Sequence, residues 1–544
     1  MLLEVLSSES VEYVFGNPGT TEMPIMDALR GHPEIQYILG LQETVVVAMA
    51  DGYAKASGKP AFVNLHTTGG LGHAMGALLH SKIAKTPMLV TVGQQDSRHM
   101  FSDPLLYGDA LGVAGPVVKW AREAIHPEHI PPLVRRGLQH ARTPPFGPVF
   151  VSLPIDAMTT ETVCSPGKPS KIHDGTLAGG LDELAHRLTR FQPGRLALIA
   201  TDEVGASNAG EELIELAEVL GSFVYGPSWP GEMSFPPTHP LWMGNLPTAA
   251  AEMRSALSEL DAIFVVGDNP FISYLYSEGP AVPESCKLYQ LSSDGTEPGR
   301  TYPTDLGCVG NLKRSLRAVI PLVAAELGKG CFAAAAALSK AVENRQSRLA
   351  ALSERIEEER TTVPTTPFFA ASAVIAALDD DVVLVDEAPA TIAHVRSSLE
   401  QVGVKRYFFM RSAILGWGLS AAVGVALGSK SRVVALLGDG SALYAPQGLW
   451  TAARLQLPIT FVIMNNSEYN ILKRYSIAQG YEENGNSTIA GMELTDPPID
   501  FQALAAAFGI VSRRVTNPAE IENVVHHAVR SGQPNLVEIV IDVS

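Results

Sequence analysis

The chain has 544 residues, of which 46% are hydrophobic and 18% charged, with a net charge of −17. That balance excludes a disordered chain, and 48 Gly and 38 Pro without a G-X-Y period exclude a collagen-like one. An acidic chain with no Lys/Arg cluster is poorly suited to nucleic acid or an anionic membrane surface, and the length suggests about three domains.

The N-terminal stretch, MLLEVLSSESVEYVFG, carries acidic residues where a secretory signal needs basic ones. Residues 1–160 then alternate short apolar runs (QYILGL, AFVNLH, PMLVTVG, PVFVSLP) with helical patterns. Such alternation predicts an α/β domain around a parallel sheet. A Pro/Ser/Lys-rich linker, 159–175, follows. Residues 178–330 repeat the style with RLALIATD, SFVYGPS, AIFVVGDNP and KLYQLSSD. A charged helical run over 333–360 is broken by TTVPTTP, and residues 366–544 form a third block with VVLVDE, RVVALLGDG, ITFVIMNN and NLVEIVIDV. The expected fold is therefore α/β, with three doubly wound parallel-sheet domains at 1–160, 178–330 and 366–544. The uncharged stretch Ser412–Ser429 is long enough to suggest a membrane span, but its Gly/Ala/Ser content reads as a buried helix packed against other backbone. Cys164, Cys286, Cys308 and Cys331 have neither zinc spacing nor the density of a disulfide scaffold, so a cytoplasmic setting is expected.

Chemistry concentrates first at 438–469. A strand runs into Gly438-Asp439-Gly440-Ser441, and a second strand ends at Asn465-Asn466 about 26 residues later. The glycines allow backbone to approach a phosphate, and Asp439 with the neutral oxygen of Asn466 suits octahedral Mg²⁺. Turn chemistry alone accounts for either half, but not for the combination. Two apparent motifs fail on spacing. Gly70, Gly72 and Gly76 do not match a dinucleotide fingerprint, and the GDGS segment lacks the flanks of a nucleophile elbow.

The GDG…NN pair resembles the thiamine diphosphate-binding signature. With VFGNPGTTEMP (14–24), YILGLQETVVVAMADGYA (37–54), KPAFVNLHTTGGLGHAMGAL (59–78) and YFFMRSAILGWGLSAAVGVALG (407–428), the chain resembles benzoylformate decarboxylase and its relatives along nearly its whole length. The resemblance implies pyrimidine-binding, middle and diphosphate-binding domains, in that order. It makes Glu43 the acid that hydrogen-bonds the cofactor's pyrimidine, favouring the imino tautomer that removes the thiazolium carbon's proton. Without the resemblance, Glu43 reads as a first-turn acid complementing a helix dipole. His66 takes the place of a histidine that handles protons on the substrate-derived intermediate. Thr20 falls where the family has a serine that contacts the substrate carboxylate.

By the same resemblance, Leu415 sits under the bent cofactor and the Ala413 carbonyl faces its aminopyrimidine. Gly438, Asp439, Gly440, Ser441, Asn466 and Tyr469 bind the diphosphate end. Asp439, Asn466 and the backbone carbonyl of Glu468 hold Mg²⁺. Leu105, Leu106, Phe409, Ile471, Leu472 and Tyr475 line the substrate pocket, suggesting an aryl or alkyl substituent on a small 2-oxo acid. Two positions depart from the family. Tyr274 stands where a second catalytic histidine is expected, and tyrosine does not titrate near neutrality. Arg411 replaces a small residue, and either binds a substrate carboxylate or pairs with an acid at a subunit interface. A decarboxylase is the leading expectation. A carboligase or lyase of 2-hydroxy ketones is the second, and a silent cofactor-binding paralogue the third. The resemblance further implies a homodimer or homotetramer, with Glu43 and His66 of one copy meeting Asp439 and Asn466 of another.

Overall fold

The computed structural model describes residues 1–173, 175–328, 331–481 and 489–543, with backbone alone for 331 and 332. It contains three six-stranded sheets. The first is built from β1 (Tyr13–Gly16), β2 (Gln36–Leu39), β3 (Ala61–His66), β4 (Met88–Gln94), β5 (Ala121–Glu123) and β6 (Pro148–Pro154), in the order β2-β1-β3-β4-β6-β5. The second comprises β7 (Leu196–Ala200), β8 (Phe223–Gly226), β9 (Trp242–Asn245), β10 (Ala262–Val266), β11 (Lys287–Ser292) and β12 (Leu306–Val309), in the order β12-β11-β10-β7-β8-β9. The third uses β13 (Val383–Glu387), β14 (Arg406–Phe409), β15 (Val433–Gly438), β16 (Ile459–Asn465), β17 (Val511–Val515) and β18 (Asn535–Val540). It runs β13-β15-β16-β18-β17, and β14 completes it. Every strand pairing with an assigned register is parallel.

The sequence dictates this arrangement directly. Strands covered by helices on both faces are apolar along most of their length, and β4, β6, β10, β13 and β16 are buried at every position, with the acids Asp386 and Glu387 closing β13. Parallel strands also need crossovers long enough for a helix. The resulting sheets gather their strand ends, and the loops beyond them, on one edge.

The chain divides into two compact units. One comprises residues 1–171, 360–392 and 412–544; the other comprises 172–359 and 393–411. Within the first, the helix Glu43–Ser57 starts at Gln42, whose side-chain oxygen accepts from the Thr44 and Val45 N–H groups at 2.6 and 3.2 Å. It is buried nearly all round and packs on the helix Gly418–Ser429. A Cβ at Gly52 would lie 2.2 Å from the Ala421 carbonyl oxygen, and one at Gly424 would lie 1.8 Å from that of Met49. The small-residue run of 412–429 is thus a backbone-to-backbone contact, though its helix begins only at Gly418. Among the described residues no helix is long and apolar enough to cross a membrane. In the second unit the charged run forms one helix, Cys331–Glu359, and Phe409 N–H donates to the Gly231 carbonyl at 2.8 Å.

Candidate active site

Two strand-end clusters stand out in the first unit. At the carboxyl edge of the first sheet, His66 closes β3 and starts the helix Thr67–Ile83. Its imidazole lies against the Asn17-Pro18-Gly19 turn, where a Cβ on Gly19 would be 2.3 Å from the ring. Nδ1 is 2.7 Å from Oε2 of Glu22, a fully buried carboxyl. Glu22 also accepts from Gly19 N–H (3.0 Å), Thr21 O–H (2.8 Å) and Gly93 N–H (2.9 Å). Three donors point at this group, so it serves as an acceptor and His66 Nδ1–H donates to it. Nε2 is thereby the nitrogen left to act on a ligand. The residue after His66, Thr67, holds φ +48°, a strained value for a β-branched residue that sets the sharp strand-to-helix turn.

Glu43 opens its helix with a buried carboxyl. Oε1 accepts from Asn17 Nδ2 and Oε2 faces His73 Nδ1, both at 3.1 Å. Thr20 is exposed at the start of a short turn of helix. The structure therefore sets Thr20 and Glu43 on the first helical residues after β1 and β2, and His66 at the end of β3. Glu22 and His73 have no motif of their own in the sequence. No sequence signal marks Glu22, whose partners only the fold brings together, and His73 is marked only by standing three residues beyond Gly70 on one helix.

At the third sheet, β15 and β16 pair with Gly438 opposite Met464, which brings the two turns together. Asp439 Oδ2 accepts from Ser467 N–H and Oδ1 from Gly440 N–H, each at 2.7 Å. Burial pushes the Asp439 carboxyl up from its ordinary range, against the pull of these N–H donors. Ser467, beside Asn466, holds φ +59°. A Cβ on Gly438 would meet nothing closer than 3.5 Å, so space remains over that backbone. Among the described residues no three His, Cys, Asp or Glu side chains form a metal cluster. One buried carboxylate with neutral oxygens, under open glycine backbone, fits a hard cation that brings phosphate ligands with it. Ser441 is buried, and Tyr469 N–H donates to the Met492 carbonyl at 2.8 Å. The Glu468 side chain pairs with Lys473.

Between these clusters in sequence, the loop 412–417 carries Ala413 at φ +58° and Leu415. Buried polar groups hold it from two sides. Glu387, at the end of β13, accepts from the N–H groups of Gly416 (2.6 Å) and Gly418, and burial pushes its carboxyl up to about 8. On the other side, Asp51 accepts from Trp417 Nε1 at 2.9 Å, while His80 stacks on the Trp417 ring and meets Ser412 Oγ at 2.8 Å. Complete burial pushes His80 down to about 4, so it is neutral at physiological pH.

The remaining expected residues are placed differently. Leu105, at 87% exposure, and Leu106, Ile471 and Leu472 are exposed on the first unit. Tyr475 packs edge-on to Tyr481, with ring centroids 6.5 Å apart. Tyr274 belongs to the second unit and is 63% exposed. Phe409, expected at a pocket wall, is wholly buried there against Trp229. Arg411 is also buried in that unit. Its guanidinium lies 3.3 Å from Asp202 and 4.0 Å from Asp268, and donates to the Trp229 carbonyl. Arg411 thus does pair with acids, but with acids of its own chain.

Three thiamine pyrophosphate enzyme models match the chain: the N-terminal TPP binding domain over residues 1–104, the central domain over 181–319 and the C-terminal TPP binding domain over 397–539. A benzoylformate decarboxylase of Pseudomonas aeruginosa is 32% identical, over 98% of this chain and 97% of the relative. The chain belongs to the thiamine pyrophosphate enzyme family. A putative acetolactate synthase large subunit of Mycobacterium tuberculosis is 28% identical over 99% of this chain and 98% of its own. The structure of a thiamine diphosphate-dependent 4-hydroxybenzoylformate decarboxylase from Rhodococcus jostii superposes with a TM-score of 0.87 at 27% identity, covering 99% of this chain and 98% of that one. The chain is accordingly a thiamine diphosphate-dependent enzyme of the decarboxylase and acetolactate synthase family.

Proposed function

We propose that this enzyme decarboxylates a 2-oxo acid with an aryl or apolar substituent, of the benzoylformate kind, to the aldehyde. The observation that carries the reading is the Glu22–His66 pair, which leaves His66 Nε2 as a proton-transferring atom at the carboxyl edge of the first sheet. The likeness to the Pseudomonas aeruginosa enzyme supports it. In this reading, Asp439, Asn466 and the Glu468 carbonyl hold Mg²⁺, with Gly438, Gly440, Ser441 and Tyr469 around the diphosphate. Ala413 and Leu415 support the folded cofactor, and Glu43 exchanges a proton with its pyrimidine. Once bound, the cofactor supplies the electron sink for loss of CO₂. The protein's part is to orient the 2-oxo acid, with Thr20 toward its carboxylate, and to deliver a proton from His66 Nε2 to the carbon that lost CO₂. Leu105, Leu106, Ile471, Leu472 and Tyr475 would surround the substituent. The exposure of Leu105, Leu106, Ile471 and Leu472 on a single chain favours a homodimer or homotetramer in which a second copy encloses the site, with domains divided near 160–178 and 330–366.

The test is CO₂ and aldehyde release from benzoylformate with thiamine diphosphate and Mg²⁺, alongside Glu43→Gln. We expect turnover in the wild type and a fall of about 1,000-fold or more in the variant. A wild type that binds cofactor without releasing CO₂ would sink the reading. Tyr274 favours a second reading, carboligation, because a phenol stands where an imidazole would supply a second proton-transferring group. Accumulation of a 2-hydroxy ketone with an added aldehyde, in place of free aldehyde product, would select it.

A further inference from the structure

One charged residue interrupts the apolar strand β18, Asn-Leu-Val-Glu-Ile-Val: Glu538, which is only 1% exposed. We propose that Glu538 is a positioning residue for the cation turn, acting through Asn465 to hold that turn to the demands of Mg²⁺ rather than of the larger Ca²⁺. The proposal rests on the reading of Asp439 and Asn466 as cation ligands.

β16 and β18 pair in parallel, with Ile463 opposite Glu538. Side chains two residues apart share a face of a strand, so Asn465 lies on the face that Glu538 occupies. Among the described residues three groups meet the acid, and all are donors. Asn465 Nδ2 donates to Oε1 at 2.7 Å, Gln502 Nε2, from the helix Phe501–Ala507, donates to Oε2, and Arg514 Nε lies 3.5 Å from Oε1. The carboxyl therefore serves as acceptor and claims the NH₂ end of the Asn465 amide. Oδ1 of Asn465 is left facing Ser467, from which it accepts N–H at 2.9 Å and O–H at 3.1 Å. The same Ser467 N–H donates to Asp439 Oδ2 at 2.7 Å. An unbroken line of hydrogen bonds thus runs from Glu538, through Asn465 and Ser467, to the carboxyl assigned to the cation.

A flipped Asn465 amide would set its NH₂ against the Ser467 N–H, donor against donor, and release the turn. Ser467 holds φ +59°, so the backbone that carries Asn466 and the Glu468 carbonyl needs such a restraint. Glu538, Asn465 and Asp439 are all buried within the first unit, so this geometry does not depend on what covers the outside of the chain. Mg²⁺ demands near-ideal octahedral geometry with oxygens at about 2.0–2.1 Å, whereas Ca²⁺ accepts looser arrangements at about 2.3–2.6 Å. A restrained turn therefore matters much to the first cation and little to the second.

The experiment is calorimetric titration of the full-length chain with Mg²⁺ and, separately, with Ca²⁺, in saturating thiamine diphosphate and without substrate. Glu538→Gln can offer Asn465 either end of its own amide, so the orientation is no longer dictated. We expect its Mg²⁺ affinity to fall about 10-fold and its Ca²⁺ affinity to stay within about twofold. Asn465→Ala removes the intermediary and should shift the ratio in the same direction. The double variant should lose no more than Asn465→Ala alone, because Glu538 acts through that side chain. A merely structural acid would weaken both cations alike, or add its loss to that of Asn465→Ala. Either result, or wild-type selectivity in Glu538→Gln, would overturn the proposal while leaving the cation site in place. If Glu538→Gln fails to fold, the Mg²⁺-to-Ca²⁺ ratio of Asn465→Ala decides: a lowered ratio supports the proposal and an unchanged one overturns it. A wild type that binds neither cation in the presence of thiamine diphosphate would instead overturn the reading of Asp439 and Asn466, and Glu538 with it.

Discussion

The first and second sheets are both six-stranded and parallel, though their strand orders differ, and their carboxyl edges have opposite characters. At the first, Glu22 orients His66 and leaves one ring nitrogen for a ligand, while Glu43 stands at a helix start beside an exposed histidine. At the second, the polar groups close on one another. Asp202 accepts from Gly231 N–H at 2.8 Å and meets Arg411, and Asp268 N–H donates to Thr201 Oγ1 at 3.0 Å. Glu203, whose carboxyl burial pushes up, accepts from Ser292 O–H and Ser293 N–H at 2.8 and 2.7 Å. A parallel sheet thus builds a reactive edge in one place and a structural one in another. Which of the two arises depends on whether the charges at the strand ends satisfy each other.

Breaking the structural edge should have the largest effect. Arg411→Met removes the cation between the buried Asp268 and the part-buried Asp202, at a cost of about 3–5 kcal/mol, read as a lowered denaturation midpoint. A variant of unchanged stability that loses substrate affinity would return Arg411 to the substrate pocket. Asp439→Asn removes the sole anionic oxygen of the proposed cation site, and Mg²⁺ affinity should fall about 100-fold in a metal titration. Glu22→Gln should lower kcat about 30-fold, because a charge-assisted bond worth about 2 kcal/mol no longer fixes the His66 tautomer. Cofactor affinity should be unaffected, and a parallel loss of affinity would make Glu22 structural.

The smallest effect is a pH slope at Glu387. Its folded-state carboxyl is raised from 4.5 to about 8, so the native state holds the extra proton. The stability it contributes is full below the unfolded value and is lost as pH rises through about 8. His80 is deprotonated in both states above pH 7, so it adds nothing in that window. The melting temperature should therefore fall between pH 7 and 8, by the equivalent of about 1 kcal/mol, and Glu387→Gln should flatten the slope.

The long buried strands were legible because parallel sheets demand unbroken apolar runs. Of the four-residue strands, β2 and β8 were legible in QYILGL and SFVYGPS, but most edge strands were not. β5, β9, β12, β14 and β17 lie at sheet edges, and β17 buries only Val515 fully. A half-covered edge strand has neither a continuous run nor clean alternation. Glu43, His66, Asp439 and Asn466 could be picked out because each sits in a local motif at a strand or helix end. Glu22 could not, since its role depends on His66 and Gly93, which the fold alone brings to it. Arg411 was undecidable for the same reason, as Asp202 lies more than two hundred residues away.

The crossing of the helices Glu43–Ser57 and Gly418–Ser429 also bears on how the chain is made. The first unit is assembled from three separate stretches, and the second helix is translated long after the first. At typical synthesis rates the wait is roughly 20 to 70 s. Throughout it, the bare backbone at Gly52 and the Met49 carbonyl lack the helix they pack on, while residues 172–359 emerge from the ribosome. The nascent N-terminal stretch is thus a natural client for a holding chaperone, and expressed alone it should aggregate.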